Sequence, residues 1–582
     1  MSGAGGGGGG RKTRGPSPRR ETWRPRETGG EYGAAPEAVA GDVVLNAESA
    51  PPATPNLAAA SAARLGGRAI ALAGVVVVAG VFLSRVLGWV RTTVFLAEYG
   101  GHSANLDAFL AAFRIPDTLF QLVAAGAVGS ALVPVVSALL AKGEDVRAKR
   151  VVATIANLMM LALIPLAILV WFAAPTIVPI IAPSPEATKL ALEIELTRWM
   201  LLSPILLALA AAMTAGLNAA GVFGAPALAP NVYNIAIIVC AIVLMPALGI
   251  YSLAVGVILG AVGHVATQAY AVRRNGLYSL VLDVHDPAVR ETLLLMAPRA
   301  LGLGATQIVF LVNTYFALQL GDGPNTIYFG AFTALQIPVG LIGVPLGIVL
   351  LPPLSQAIAR GDRERFSRLV DQSLRLLLYI VLPLTGVMLV LASPSIALLY
   401  RRGAFTLQDS ATMTPVYVVF LLGLVAHVLI SLLAPIFYAG KDTRTPVTAA
   451  LLAVAVDVVA AAILFPIFHL EGLALAIGLG AWAEVTLLLF FMRHRIGFDL
   501  RPLGLTVAFA VPGATLTAAA ALAVDRVIGG LTHGSAAPAI LVADLSLACL
   551  AGAAVYLTWS RLLRLPELTA AMDLAKTLLR RG

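Results

Sequence analysis

Val133-Pro-Val-Val-Ser-Ala-Leu-Leu-Ala-Lys-Gly-Glu144 and Leu351-Pro-Pro-Leu-Ser-Gln-Ala-Ile-Ala-Arg-Gly-Asp362 fit one pattern, P-x-[VL]-S-x-x-[LI]-A-[KR]-G-[DE], 218 residues apart. A second echo, Ala220-Gly221 against Ala439-Gly440, comes at an offset of 219, with Pro226 and Pro446 close behind. Two nearly equal offsets point to an internal duplication. Each copy of the longer motif closes an apolar run, and apolar runs make up most of the chain. The apolar set reaches 59% of residues and the charged set 12%, against roughly 45–50% and 25% in a soluble domain. A helix of ~20 apolar residues crosses the ~30 Å hydrocarbon core, and few other backbones can enter it without water.

Read against their breaks, the runs place spans near 69–98, 105–141, 151–174, 190–219, 226–248, 250–272, 292–319, 324–358, 374–398, 411–438, 446–468, 471–492, 503–524 and 537–560. The fold class is therefore an all-α polytopic membrane protein of about 14 transmembrane helices. The first, second and eighth runs exceed what a straight span needs and carry Gly or Pro, so tilt or a break is expected there. Six spans separate the two motif copies, an even number. The halves then share one orientation, as two six-helix lobes related by a parallel repeat, followed by two C-terminal helices. Such repeats belong to transporters, with the substrate path between the lobes.

The lobes are placed at 68–275 and 285–497 and the added helices at 500–564. Residues 1–67, Gly- and Arg-rich without hydrophobic period, read as a disordered cytoplasmic tail. Residues 565–582 read as a cytoplasmic amphipathic tail that begins at Pro566 and serves as an interfacial anchor, dispensable for transport. With the amino terminus inside, the tails and even-numbered loops hold 31 Lys and Arg, and the odd-numbered loops hold four: Lys189, Arg401, Arg402 and Arg526. That asymmetry puts both termini in the cytoplasm. It also accounts for the net charge of +9 without nucleic acid as a partner.

Several chemistries have no foothold. Gly440-Lys441 is followed by Asp442, so there is no phosphate-cradling P-loop. Cys240 and Cys549 sit alone in apolar runs, suggesting neither disulfide nor metal, and no cofactor is expected. His264, His427, Asp457, Glu484 and Asp544 read as scattered rather than as a catalytic set. Asp457 or Glu484 either binds a coupling cation or proton or pairs with a polar neighbour, with energy from an ion gradient or the membrane potential.

Charge inside spans is densest around the first two, in Arg85, Arg91, Asp107, Arg114 and Asp117, and an ionisable group there is a functional candidate. Arg85 and Arg91, six residues apart, point ~120° from each other on a straight helix. Both line one cavity only if Gly88 bends the helix or the cavity is wide; snorkelling or pairing with Asp107 is the alternative.

The stretches Ser84-Arg-Val-Leu-Gly-Trp-Val-Arg91, Asp107-Ala-Phe, Ala112-Phe-Arg-Ile-Pro116, Gly126 and Val133-Pro134 resemble the opening helices of the MurJ/MviN lipid II flippases. Further matches are Pro298-Arg299 with Gln307, Gly343-Val-Pro-Leu-Gly347, Arg402-Gly-Ala-Phe405 and Tyr438-Ala-Gly-Lys-Asp-Thr-Arg-Thr-Pro446, so the likeness runs from 69 to about 500. The resemblance implies a non-enzymatic MOP-superfamily exporter of the bacterial cytoplasmic membrane. It also implies a cationic cavity for lipid II, a lipid-linked oligosaccharide pyrophosphate. Arg85, Arg91, Arg114 and Arg299, with Asp107, carry over as substrate-binding candidates, and arginine forks suit phosphate oxygens. The family's second-span arginine and acid are Phe120 and Ala125 here, and its eighth-span pair is Thr333 and Gln336. Two other readings therefore stay open: a MOP-type transporter of another polyprenyl-linked glycan or amphiphile, and a non-transporting scaffold.

Overall fold

A computed structural model describes Gly3 and residues 67–123, 127–184, 186–440, 442, 444–532, 537–569 and 572. Apart from Gly3, the expected amino-terminal tail up to residue 66 lies outside them, as do Ala125, Gly126 and nearly all of the segment beyond 569. The regular structure of the described residues is helical. In chain order the helices are α1 Gly67–Tyr99, α2 Ala104–Val123, α3 Ala127–Ala141, α4 Asp145–Ile181, α5 Ala187–Met200, α6 Leu202–Ala219, α7 Gly224–Val243, α8 Met245–Leu248 and α9 Tyr251–Asn275. The second half holds α10 Pro287–Leu318, α11 Pro324–Pro338, α12 Val344–Ala359, α13 Arg363–Val390, α14 Ala392–Tyr400, α15 Leu407–Leu422, α16 Leu424–Ala439 and α17 Arg444–Phe491. Two more, α18 Arg501–Leu531 and α19 Pro538–Leu562, close the chain.

Each of the expected runs is helical. Ten helices among the described residues are long and apolar enough to cross a membrane, eleven if α15 and α16, bent by 43° at Gly423, form one span. The 48 residues of α17 would reach ~72 Å as one rod, more than twice the hydrocarbon thickness. Instead the backbone leaves helical geometry at His469 (φ 51°). Gly472 then packs on the backbone of Leu464, and Gly480 on Ala453 and Asp457, so the chain doubles back as an antiparallel hairpin.

The duplicated motif has one local structure in both copies. Glu144 N donates to Leu139 O and Gly143 N to Leu140 O; Asp362 N donates to Ala357 O and Gly361 N to Ile358 O. These are the paired bonds of a Schellman helix end, and they need a residue at positive φ, which Gly143 (77°) and Gly361 (68°) supply. The acid that follows in each copy then starts the next helix. The weaker echo differs: Gly221 has φ 78°, whereas Gly440 has φ −80°.

The three long runs resolve differently. α1 continues unbroken through Gly88 for 33 residues, ~50 Å of helix, so tilt rather than a break accommodates it. The second run is helical on both sides of residues 124–126, as α2 and α3. The eighth carries a π-helical turn, Val339–Gly343, between α11 and α12. There the Cα of Gly343 faces the Ser431 hydroxyl and that of Gly347 faces the Ser431 carbonyl; an added Cβ would lie 2.2 and 2.5 Å from those atoms.

Polar contacts segregate the loops to two ends, as alternating spans require. At the even-loop end Arg147 of α4 grips Asp286, Nε to Oδ2 and Nη2 to Oδ1 both at 2.8 Å, while Asp286 caps α10 through Ala288 N. That fork holds the Asp286 carboxyl below the usual carboxylate range. At the same end Arg375 of α13 donates through Nε and Nη2 to Glu567 at 2.9 and 2.8 Å, and Thr506 of α18 donates to the same oxygen.

Helix α18 lies on α13, where Gly386 meets Ala514, and α19 lies on α18, where Gly552 meets Thr517. The Tyr379 and Tyr556 rings pack with centroids 4.9 Å apart, tilted by 41°, in one buried cluster with Leu568. Glu567 and Leu568 are buried, so the segment that starts at Pro566 begins docked on the bundle rather than as a free interfacial anchor. The rest of that segment lies outside the described residues.

Candidate functional site

At the odd-loop end the two halves are joined by a set of short polar contacts. Ala404 N donates to Ala97 O at 2.6 Å, Thr93 Oγ1 to Leu399 O at 3.3 Å, and His102 meets Asp409. The central joint is Asp107. Helix α11 starts behind Gly323, which has no side chain with which to cap the free amides. Asp107 of α2 does so from the other half: Oδ2 accepts from Gly323 N (2.7 Å), and Oδ1 from Thr326 N (2.7 Å) and Thr326 Oγ1 (2.5 Å). A carboxylate at a helix N-terminus is stabilised by the helix dipole as well. Lys189 of α5 lies 3.7 Å from Asp107 Oδ2 and 2.6 Å from Asp322. Gly323 allows this approach, because a Cβ there would stand 2.6 Å from His102 Cα. Asp107 is thus committed to holding the halves together, and its partners are backbone amides, a threonine and Lys189 rather than Arg85 or Arg91.

The arginines divide between neighbours as the helix geometry requires. With α1 unbroken at Gly88, Arg85 turns to the π turn of the eighth run, its Cδ 3.7 Å from where a Gly340 Cβ would stand. Arg91 is buried at 5% exposure and faces Asp117 of α2. Arg114, also buried, crosses to the second half, where Nε donates to Thr314 Oγ1 at 3.3 Å and the guanidinium lies 4.8 Å over the Phe310 ring. Asp117 lies within electrostatic range of both Arg91 and Arg114. The structure therefore gathers Arg91, Arg114 and Asp117 between the halves, with Arg85 at their seam. Arg299 lies on α10, and its side chain falls outside what is described. Phe120 and Thr333 are buried, Thr333 bonding its own helix at Phe329 O.

A feature invisible in the sequence lies behind Phe310. A cavity of about 120 Å³ in the second half is lined by Phe310, Phe332, Gln336, His427, Asp457 and Glu484 among others. The sequence reading treated the last three as scattered, because α16 and the two arms of α17 carry one each and no spacing links them. Folding the α17 hairpin brings Asp457 and Glu484 into one chamber, with Gln336 on its wall. Glu193 was missed as well: it lies one turn beyond Lys189, fully buried, with neither oxygen hydrogen-bonded among the described residues.

Two helical halves that enclose buried arginines, are sealed to each other at one end, and carry an acidic chamber in one half define a polytopic membrane protein of transporter architecture. A family model described as lipid II flippase MurJ matches residues 96–538. The chain belongs to that family. It is 30% identical over 460 residues to the lipid II flippase MurJ of Burkholderia cenocepacia, covering 78% of this chain and 87% of that one. It is 32% identical over 468 residues to the probable lipid II flippase MurJ of Rhizobium meliloti, covering 78% and 86%.

Among solved structures, a lipid II flippase MurJ in an inward closed conformation aligns with a TM-score of 0.69 at 24% identity, over 84% of this chain and 98% of that one. An inward-facing MATE-family transporter of the MOP superfamily aligns at 0.61 and 14% identity, over 71% and 94%. Both show the fold. Membership of a bacterial family of multi-pass proteins agrees with the apolar helices.

Proposed function

We propose that this chain moves lipid II from the inner to the outer leaflet of the bacterial cytoplasmic membrane by alternating access between lobes at 68–275 and 285–497. The carrying observation is the burial of Arg91, Arg114 and Asp117 between the halves of a chain that belongs to the lipid II flippase family. A buried guanidinium is costly unless a partner is present, and two arginines with one carboxylate in electrostatic range leave a net positive charge for a pyrophosphate. Arg85, at the seam with Gly340, and Arg299, on α10, complete the proposed anion-binding set. Asp107 acts on the substrate indirectly, by closing one end of the path.

Both termini are placed in the cytoplasm by the Lys and Arg asymmetry, so the joint at Asp107 closes the outer side and the conformation is the one that receives substrate from inside. The chamber of Asp457 and Glu484 takes a coupling proton or monovalent cation, and the membrane potential acts on its charge.

Topology is tested by thiol labelling of intact cells in a background lacking Cys240 and Cys549. Gln408→Cys, exposed at the odd-loop end, should react with an impermeant reagent and Lys142→Cys should not; the opposite pattern refutes the orientation. Substrate is tested by lipid II translocation in reconstituted vesicles, with another polyprenyl-linked glycan as the competing cargo. Preference for the competitor, or absence of any translocation, refutes the assignment.

A further inference from the structure

The 276–286 stretch links α9 to α10, and with them the two halves, and it lies along the even-loop end of α4. Its contacts form a ladder. Beyond the Arg147–Asp286 fork, Arg150 Nη1 lies 3.5 Å from Asp283 Oδ2. Asp283 N donates to Thr154 Oγ1 at 3.2 Å, and Thr154 Oγ1 donates to Val281 O at 3.4 Å. Asn157 Nδ2 donates to Val281 O at 3.0 Å and to Ser279 O at 2.9 Å. Arg147, Arg150, Thr154 and Asn157 share one face of α4, and the stretch runs antiparallel along that face. Irregular backbone can approach hydrocarbon only where protein satisfies its polar groups. Thr154 and Asn157 do so for this strap.

The exposed side of the strap is apolar. Every second residue from Tyr278 to Val284 stands out, with Tyr278, Leu280, Leu282 and Val284 at 41, 90, 56 and 48% exposure. Its depth is set by α4, whose exposed side chains are charged at Asp145 and Arg150 and apolar from Leu161 onward. The rungs at Thr154 and Asn157 fall between, where hydrocarbon gives way to headgroups. Tyr270, exposed near the end of α9, and Tyr278 are the residue type enriched at that level. Exposed Arg273 and Arg274 in the last turn of α9, and Arg290 in the first turn of α10, flank the strap.

We propose that the strap is an interfacial element: the comb of Tyr278, Leu280, Leu282 and Val284 inserts at the acyl–headgroup boundary of an anionic leaflet, and Arg273, Arg274 and Arg290 meet its phosphates. Buried apolar area and attraction to anionic lipid are the two components of such binding. Because the strap is the covalent link between the halves, this seat holds the even-loop ends of α4 and α10 at one depth. Neither the cargo nor the orientation of the chain enters.

The test uses the full chain lacking Cys240 and Cys549 in nanodiscs of phosphatidylcholine, with or without phosphatidylglycerol. A nitroxide is attached at Leu280→Cys or Leu282→Cys, with Val146→Cys, exposed near the start of α4, as the aqueous control. Collisions with lipid-soluble oxygen should exceed those with a water-soluble nickel chelate at the two strap positions and fall below them at the control. Phosphatidylglycerol should raise the hydrogen-exchange protection of the strap amides roughly fivefold for each arginine engaged. Arg273→Gln together with Arg274→Gln should remove most of that gain. Nickel collisions that dominate at both strap positions in both lipids overturn the insertion. Exclusion of both reagents, as a second copy of the chain seated on the comb would give, overturns lipid as the occupant. Oxygen-dominated collisions with exchange indifferent to phosphatidylglycerol overturn the anionic contact.

Discussion

Replacing Asp107 with Asn removes one charge and almost no volume from the joint that holds the halves together. The carboxylate accepts three hydrogen bonds at 2.5–2.7 Å and neighbours Lys189 at 3.7 Å. Asparagine keeps one acceptor oxygen and presents an NH2 group to amides that also donate, so at least one α11 N-terminal amide loses its partner. Hydrogen bonds to a charged group contribute about 1.5–3 kcal/mol each, and the buried Lys189 loses one of its neighbouring carboxylates as well. A loss of about 3 kcal/mol of closure follows, which is more than a hundredfold in the opening equilibrium.

Amide hydrogen exchange in nanodiscs reads this directly. Protection of Gly323 and Thr326 should fall about a hundredfold in Asp107→Asn, while the α17 hairpin, remote from the joint, keeps its protection. Unchanged protection at Gly323 and Thr326 would show that Asp107 does not hold the halves together.

Three further outcomes are expected. Truncation after Ala570 should preserve expression and melting temperature, whereas truncation after Leu565 should lower the melting temperature by removing Glu567 and Leu568 from beneath α13 and α18; equal stability of the two refutes the docking of that segment. The Asp286 carboxyl is depressed by Arg147, so its contribution is present above the unfolded carboxylate pKa of about 3.9 and is lost as pH falls through the lower folded value. The melting difference between wild type and Arg147→Ala should therefore be constant from neutral pH down to about that unfolded value and shrink below it; a difference that grows on acidification contradicts the pairing. Gly347→Ala should destabilise by about 1–3 kcal/mol, since the opposing atom is backbone. Gly343→Ala should be partly rescued by Ser431→Ala, which removes the hydroxyl it meets, and tolerance of both single changes without rescue refutes the close packing at the π turn.

The spans were legible because the bilayer imposes a length and a composition that few other folds share. So was the end of each motif copy, since Lys142-Gly143-Glu144 and Arg360-Gly361-Asp362 carry the residue types that a Schellman end and a following helix start require. Charge partners were not legible. Lys189 counted as an outer-loop lysine, yet it is buried against Asp107 and Asp322, because what decides its surroundings is the return of a loop more than 130 residues away. The chamber was hidden for the same reason: His427, Asp457 and Glu484 meet only after a hairpin and a helix crossing are in place. The divergence of Arg85 from Arg91 was visible in their spacing, and the unbroken α1 decided which way each turns.

The central claim is that buried arginines between the halves recognise and pass a pyrophosphate-bearing lipid. It is tested most directly by lipid II translocation in vesicles containing wild-type chain, Arg91→Ala, Arg91→Lys or Arg114→Ala at matched incorporation. The account predicts translocation by the wild type, a loss of about ten- to hundredfold in binding for each alanine variant, and only partial recovery with lysine, which lacks the bidentate fork. Wild-type binding and translocation by both alanine variants would contradict it.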